Sequence, residues 1–492
     1  MINILANPNP RRVDALDALR GLAILAMLLS GLVPRGELPA WMYHAQIPPP
    51  DHHFDPTVAG LTWVDLVFPF FLFALGAAIP FALSSRIARG ESVLRLVGHA
   101  VLRGFLLLAF AVYIPHVDPW QMAATPTVGT WLLALLAFAL MFPALARLPR
   151  EWSRPRVRLT RAVGWGGAIA LVAGVWYVGT GRLTSDWTSV AGVIANLNRI
   201  AERSDIIIVV LANVAVWASL IWLMSHHNVP ARLAVMLALL GLRLAHQEPG
   251  WVKTLWEFHP VPRLYQLYFA QYLLIVLPGT IAGDLMRAWQ RSAPAVDEPS
   301  TLSKGRLVGL VCVCLVLVVF TLCGLQGRWL PWATPAGVGV LLIAAHLLTR
   351  RPSTPQGELL CRLVRWGTVW LIIGLVFEPY EGGIKKDHPT VSFYFVTSGL
   401  ACCTLVLLQV MIEELRVRRG FGLLIANGQN PMIAYLGIRN VIPPLLVPTG
   451  LNAVLERLTP TPWLGVLRGV AKTALLAWIV KQFSRRRIYW RT

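Results

Sequence analysis

Apolar runs of about twenty residues, parted by short polar stretches, recur along the whole chain. Each is long enough to cross a hydrocarbon core of ~30 Å as a helix. The pattern predicts spans near 14–33, 61–84, 95–115, 126–147, 162–180, 205–224, 231–246, 266–286, 306–325, 333–349, 363–379, 391–412, 430–447 and 463–482. The 231–246 run is short, and Pro443 and Pro444 interrupt 430–447. The expected count is therefore roughly 12 to 14 spans. The fold class is all-α, a polytopic transmembrane helix bundle.

Composition agrees. Of 492 residues, 56% are hydrophobic and only 14% charged. The net charge of +20 raises the question of nucleic acid. However, Lys and Arg gather in alternate loops, with no basic stripe interleaved with exposed aromatics, so no nucleic-acid partner is expected. One set of loops holds Arg86/Arg89/Arg95, "RLPREWSRPRVRLTR", Arg350/Arg351, "RVRR" and the tail "KQFSRRRIYWRT". Lys and Arg favour that side by roughly three to one, which predicts both termini in the cytoplasm. Loops 34–60, 247–265 and 378–390 then lie on the outer face.

No cleavable signal peptide is visible, so the first helix is expected to be retained. A Ser/Pro-rich stretch, 292–304, reads as a cytoplasmic linker between two transmembrane halves, 1–291 and 305–492. The expected location is a multi-pass protein of a bacterial inner membrane. The six cysteines lie in or beside apolar segments without metal-site spacing and read as small packing residues.

Polar residues inside spans cost free energy and usually face the bundle interior. Asp14, Asp17 and Arg20 recur at intervals of three, so they share one helical face where an internal ion pair is plausible. Asp65 opens "TWVDLVFPFFLF", four residues before Pro69. Two readings stay open: a helix broken at the proline with a carboxylate at the break, or a simple N-terminal cap. Ser30, Asn213, Gln271, Asp284 and Glu378 are further polar groups within spans. "NGQNPMIAYLGIRN" places Asn427, Gln429 and Asn430 at the mouth of a late span, where amides either bind a ligand or cap the helix.

Three histidines, His44, His52 and His53, stand in the 34–60 loop beside Asp51 and Asp55. Histidine is the usual general base near neutral pH. A zinc site is a formal alternative, but no metal is expected. The loop is stiffened by "PPP" and joins two spans that carry buried charge, so it can be held over a bundle cavity.

"LDALRGLAILAMLLSG", "WMYHAQ" and "LTWVDLVFPFFLFALGAAIP" together resemble the heparan-alpha-glucosaminide N-acetyltransferase family of membrane acyltransferases, in a bacterial branch of unassigned substrate. The matching positions are Asp17–Ala–Leu–Arg20–Gly21, His44–Ala45 and Thr62–Trp–Val–Asp65–Leu–Val–Phe–Pro69. The resemblance is specific over about 12–84 and looser over 204–225, 266–287 and 427–447. It implies a core of about eleven spans, acetyl-CoA entering from the cytoplasm, an acceptor on the far side, and a catalytic histidine at His44. The chain departs from the pattern in "QIPPPDHHFDPTVAG", inserted before the Thr, and in Ser30, which stands where human-type members have an asparagine. A terminal glucosamine acceptor is therefore not assumed.

These readings converge on acetyl (acyl) transfer from cytoplasmic acetyl-CoA to an amine or hydroxyl of an outer sugar or glycan. The bilayer is a partner and a homodimer is left open. His44 is the expected base or acetyl carrier, with His52 as its understudy. Asp65 orients the imidazole or pairs with Arg20. Arg20, Arg95, Arg103 and the Asn427–Asn430 turn are candidates for the CoA phosphates, and Ser30 or Asn213 for a hydrogen bond to the thioester oxygen. The rival reading is a multi-span transporter or lipid/glycan flippase without acyl transfer.

Overall fold

The computed structural model describes residues 13–36, 38–149, 151–179, 188–261, 263–292, 302–329 and 331–490. Most of the expected 292–304 linker, residues 293–301, lies outside them. Among the described residues there are helices and only two isolated β-bridges, Ala146 with Trp490 and Val261 with Tyr265. All the expected spans except 430–447 coincide with a helix, α1 at Asp14–Ser30, α2 at Trp63–Ile87 and α3 at Val93–His116 among them.

Among the described residues, nine helices are both long and apolar enough to cross a membrane. The shortfall from the expected count has a physical origin. Asp14–Ser30 and Val229–Ala245 have 17 residues each and Ala333–Leu348 has 16. At ~1.5 Å per residue these fall a little short of a ~30 Å core. The Arg154–Gly179 helix begins with a basic stretch and continues in an uncharged apolar one over the expected 162–180 span. The 430–447 segment is not one helix but two, Pro431–Asn440 and Ile442–Leu446, with Pro443 and Pro444 in the second.

Burial sorts the helices into layers. The most apolar stretches of α2, Leu267–Ser292 and Val391–Glu414 are 78%, 83% and 89% buried, so these three form the centre. Lys304–Gln326 and Pro462–Arg485 are only 33% buried and form the rim. Lipid is as apolar as a leucine side chain, so close backbone approach has to replace the hydrophobic drive between helices. Glycine permits that approach. A Cβ on Gly76 of α2 would lie 2.0 Å from the Val276 carbonyl oxygen, and one on Gly279 2.2 Å from that of Phe73. The Gly422–Gln429 helix packs on α1 in the same way. There a Cβ on Gly21 would meet the Leu424 oxygen at 1.8 Å, and one on Gly428 the Asp17 oxygen at 1.7 Å.

Charged groups tie the bundle internally. Arg232 is wholly buried; its Nη1 donates to Asp284 Oδ2 (2.7 Å) and Thr280 Oγ1 (3.0 Å). Its Nη2 donates to the Ser225 carbonyl, and Trp222 Nε1 donates to the same Asp284. Asp284, a polar residue at a span end, is thereby accounted for as a structural lock. All six cysteines are free.

Candidate functional site

The helix α2 runs unbroken through Pro69 and Pro80. Proline does not break it, so Asp65 serves as the third residue of a capped helix. The Thr62 N–H donates to Asp65 Oδ2 at 3.0 Å, closing the carboxylate half of a capping box. The same oxygen accepts from the Ala45 N–H (3.2 Å). The Thr62 hydroxyl lies 2.7 Å from the Tyr43 carbonyl oxygen and 3.1 Å from Asp65 Oδ2. One fully buried carboxylate oxygen thus pins the 43–45 segment onto the start of α2. That pin fixes His44, the residue between Tyr43 and Ala45.

The second oxygen of Asp65 is left over. Asp65 Oδ1 is buried without a hydrogen bond, 3.5 Å from His44 Nδ1 and 3.8 Å from Lys386 Nζ. On the other side of the ring, His44 Nε2 lies 2.7 Å from Asp387 Oδ2. The Gln46 N–H donates to His44 Nδ1 at 3.0 Å. In the neutral ring this assigns the proton to Nε2, which then donates to Asp387. The imidazole is held between two carboxylates, one rigid and wholly buried, the other half-exposed on a loop.

That loop, 378–390, is built to stay in place. The Gly60 N–H donates to the Ile384 carbonyl (2.8 Å), joining it to the 34–60 loop. Arg243 Nη2 donates to Glu381 Oε1 (2.9 Å) and to the Pro389 carbonyl (3.0 Å), and Arg328 pairs with Glu378. Burial raises the Asp387 carboxyl. The hydrogen bond to His44 and the charges of Lys386, His44 and His388 outweigh that and hold it below the usual carboxylate range.

The other histidines sit elsewhere. His52 packs edge-on to Tyr43, ring centroids 4.5 Å apart, and its Nε2 accepts the Gly36 N–H at 3.3 Å. It shapes the loop but takes no bond from Asp65 or Asp387. His53 is exposed. Among the described residues, no group of three His, Cys, Asp or Glu is placed to hold a metal ion.

Arg20 does not reach Asp65. Its Nη1 pairs with Asp17 Oδ1 (3.3 Å) and donates to the Gly428 carbonyl (3.1 Å), and its Nη2 meets the Ala74 carbonyl (3.4 Å). The ion pair expected on the face of α1 therefore exists and also clamps α2 and the Asn-rich turn. Arg103 of α3 lies within electrostatic reach of Arg20, and its Nε is buried without a hydrogen-bond partner. Arg95 is exposed. One turn beyond Arg20 and Arg103, Ile24 and Leu107 line an apolar slot of ≈ 30 Å³ with Met27, Phe71, Leu211 and Met432.

The remaining candidates spend their donors on the fold. The Ser30 hydroxyl donates to the Met27 carbonyl (2.7 Å). Asn213 Nδ2 serves the Val209 and Leu264 carbonyls at 2.8 and 2.9 Å. Asn427 Nδ2 serves Leu423 and Ala477, and Asn430 Nδ2 serves Ser484 Oγ and the Ile488 carbonyl. Each amide already donates both its hydrogens. Sequence reasoning missed Asp387 and Lys386. Their only signal was a dense run of charge, "KKDH", in a short loop.

Comparison with known proteins adds a family context. A family profile described as a domain of unknown function, DUF5009, matches residues 12–286, more than half of the chain. Heparan-alpha-glucosaminide N-acetyltransferase of Homo sapiens is 34% identical over 106 residues, covering 21% of this chain and 14% of the relative. Its Mus musculus counterpart is 35% identical over 103 residues, again 21% and 14%. The matched segment is thus a small part of the curated relatives' length. The family match contains His44 and Asp65 and stops well before Asp387.

Proposed function

The chain belongs to the DUF5009 family, and on that premise we propose that it is a transmembrane acyltransferase that uses acetyl-CoA to acetylate an amine or hydroxyl of a sugar or glycan. The observation that carries this reading is His44 held between Asp65 and Asp387. A transport site does not need an imidazole oriented on both nitrogens; a proton-transfer catalyst does. The limited identity to heparan-alpha-glucosaminide N-acetyltransferase supports the same class.

In this reading Nε2 is the reactive nitrogen. It faces the half-exposed side of the ring, while Nδ1 faces buried Asp65 and the Gln46 amide. When the acceptor takes the place of Asp387, the ring gives up its Nε2 proton to solvent and takes one at Nδ1, facing Asp65 Oδ1. The Nε2 lone pair so freed removes the acceptor's proton as the acceptor attacks the thioester carbonyl. The C–S bond breaks, the new C–N or C–O bond forms, and the proton passes to the departing CoA thiolate. Asp65 stabilises the imidazolium between these steps. An acetyl-histidine route would use the same nitrogen as nucleophile.

Arg20 and Arg103 are the groups suited to the CoA phosphates. Arg103 has an unsatisfied buried Nε, and guanidinium binds phosphate strongly. The apolar slot lies one helical turn beyond them and is the place for the pantetheine arm, with Met27 and Met432 as side chains able to move aside. Ser30, Asn213, Asn427 and Asn430 hold the helices that form this route. The charge bias of the loops supports a topology with His44 on the outer face and the CoA entrance in the cytoplasm.

The test is acetyl transfer by the purified protein in proteoliposomes, with labelled acetyl-CoA and a panel of amino sugars and glycans. The expected result is a labelled product, absent for His44→Ala. Full transfer by His44→Ala would overturn the assignment.

A further inference from the structure

Apart from His44, a second polar feature is built from the same loop. A cavity of ≈ 430 Å³ lies between Pro56 of the 34–60 loop, the end of the Val229–Ala245 helix and the 378–390 loop. Arg243, Lys385, His388, Glu381 and Tyr380 line it. His388 follows Asp387 directly, so the cavity is built from the same loop that holds the His44 imidazole.

Its charge is lopsided. Glu381 is the only carboxylate in the lining, and it is fully engaged: Oε1 accepts from Arg243 Nη2 and Oε2 from the Val391 N–H at 2.7 Å. Arg243 is only 7% exposed, and its Nη1 is buried without a hydrogen bond. Lys385 takes part in no ion pair among the described residues. The Arg243 guanidinium is matched by the single carboxylate of Glu381, which leaves the charge of Lys385 for an oxyanion to balance. One carboxylate set against an arginine, a lysine and a histidine leaves the cavity basic in character.

We propose that this cavity receives an oxyanion of the acceptor, a carboxylate or a phosphate carried on the sugar, and so selects acidic sugars over neutral ones. The inference rests on the acyl-transfer reading only for the word acceptor; the anion selectivity of the cavity is measurable without transfer. Arg243 and Lys385 then position the sugar so that its amine or hydroxyl reaches His44 Nε2.

Binding is read on full-length His44→Ala in nanodiscs, which cannot turn over by this route. The probes are glucosamine, glucosamine 6-phosphate and glucosaminuronic acid, titrated calorimetrically. At least one acidic sugar is expected to bind about tenfold tighter than glucosamine, the ratio that one charge-assisted hydrogen bond supplies. Which of the two does so identifies phosphate or carboxylate. Arg243 also anchors the loop, so the variant of choice is partly exposed Lys385. Adding Lys385→Gln should erase the preference and Lys385→Arg should keep it. Equal affinity for all three sugars, no binding of either acidic sugar, or a preference untouched by Lys385→Gln overturns the inference. Wild-type transfer assays separate the two claims. Acidic-sugar preference without any acetyl transfer leaves the cavity assignment standing and removes the acyltransferase. Transfer with no preference for acidic sugars does the reverse.

Discussion

Asp387 Oδ2 lies 2.7 Å from His44 Nε2, although 343 positions separate the two residues. The contact joins two loops that also share the Gly60–Ile384 backbone bond. The imidazole is therefore fixed by two chain segments and by the capping box of α2, and its geometry depends on all three.

His44→Ala should reduce acetyl transfer by roughly 10²- to 10⁴-fold, the usual range for a lost general base. His52→Ala should cost far less, because His52 packs on Tyr43 and bonds Gly36. Initial rates with saturating labelled acetyl-CoA decide this. Equal losses in the two variants would contradict the placement of the base at His44.

Asp387 carries a prediction about pH. Its carboxyl is held below the usual range in the folded protein. A lowered folded value means that the ionised form contributes stability fully above the ordinary carboxylate pKa of about 3.9. The contribution is lost as pH falls from there through the folded value. Hydrogen exchange at Gly60 and across 378–390 should stay slow at neutral and mildly acidic pH and speed up below about pH 4. Asp387→Asn should weaken protection at neutral pH and abolish that acid transition. Protection in the variant indistinguishable from wild type would show that the pair does not hold the loop.

Gly428→Ala should destabilise the bundle by about 1–3 kcal/mol, because its Cβ would press on the Asp17 backbone, which cannot yield as a side-chain tip can. Gly98→Ala is the control. Nothing lies within 4 Å of its Cβ position, and alanine is the better helix former. Thermal unfolding in a single detergent compares them. A Gly98 variant as unstable as the Gly428 variant would refute the close-approach argument.

Asp284→Asn should cost about 3–5 kcal/mol, since it strands a wholly buried guanidinium. The conservative size change keeps the packing, so the loss reads out charge. An unchanged unfolding temperature would mean that Arg232 is satisfied by Ser225 and Thr280 alone.

Local pattern made much of this molecule legible. Apolar run length gave the helices, because a backbone in hydrocarbon has to bond within its own segment. The three-residue spacing in α1 gave the Asp17–Arg20 pair, because helical geometry fixes which neighbours share a face. The "TWVDLV" run gave the capped start of α2, though not the choice between cap and break; the continuous helix settled that.

What lay beyond the sequence were contacts between distant segments. Residue types at Asn213, Asn427 and Asn430 advertise hydrogen bonding but not its target, and only packing showed that their amides serve neighbouring carbonyls. Nor does anything near position 44 point to position 387. A hydrogen bond between loops depends on how the helices beneath them stack, and that is set by close approaches such as Gly76 on Val276 and Gly279 on Phe73. The sequence by itself determined a membrane-spanning helical chain with a histidine and a buried carboxylate at one helix start. Only tertiary structure, by docking the 378–390 loop, supplied the second carboxylate and the basic cavity built from the same loop.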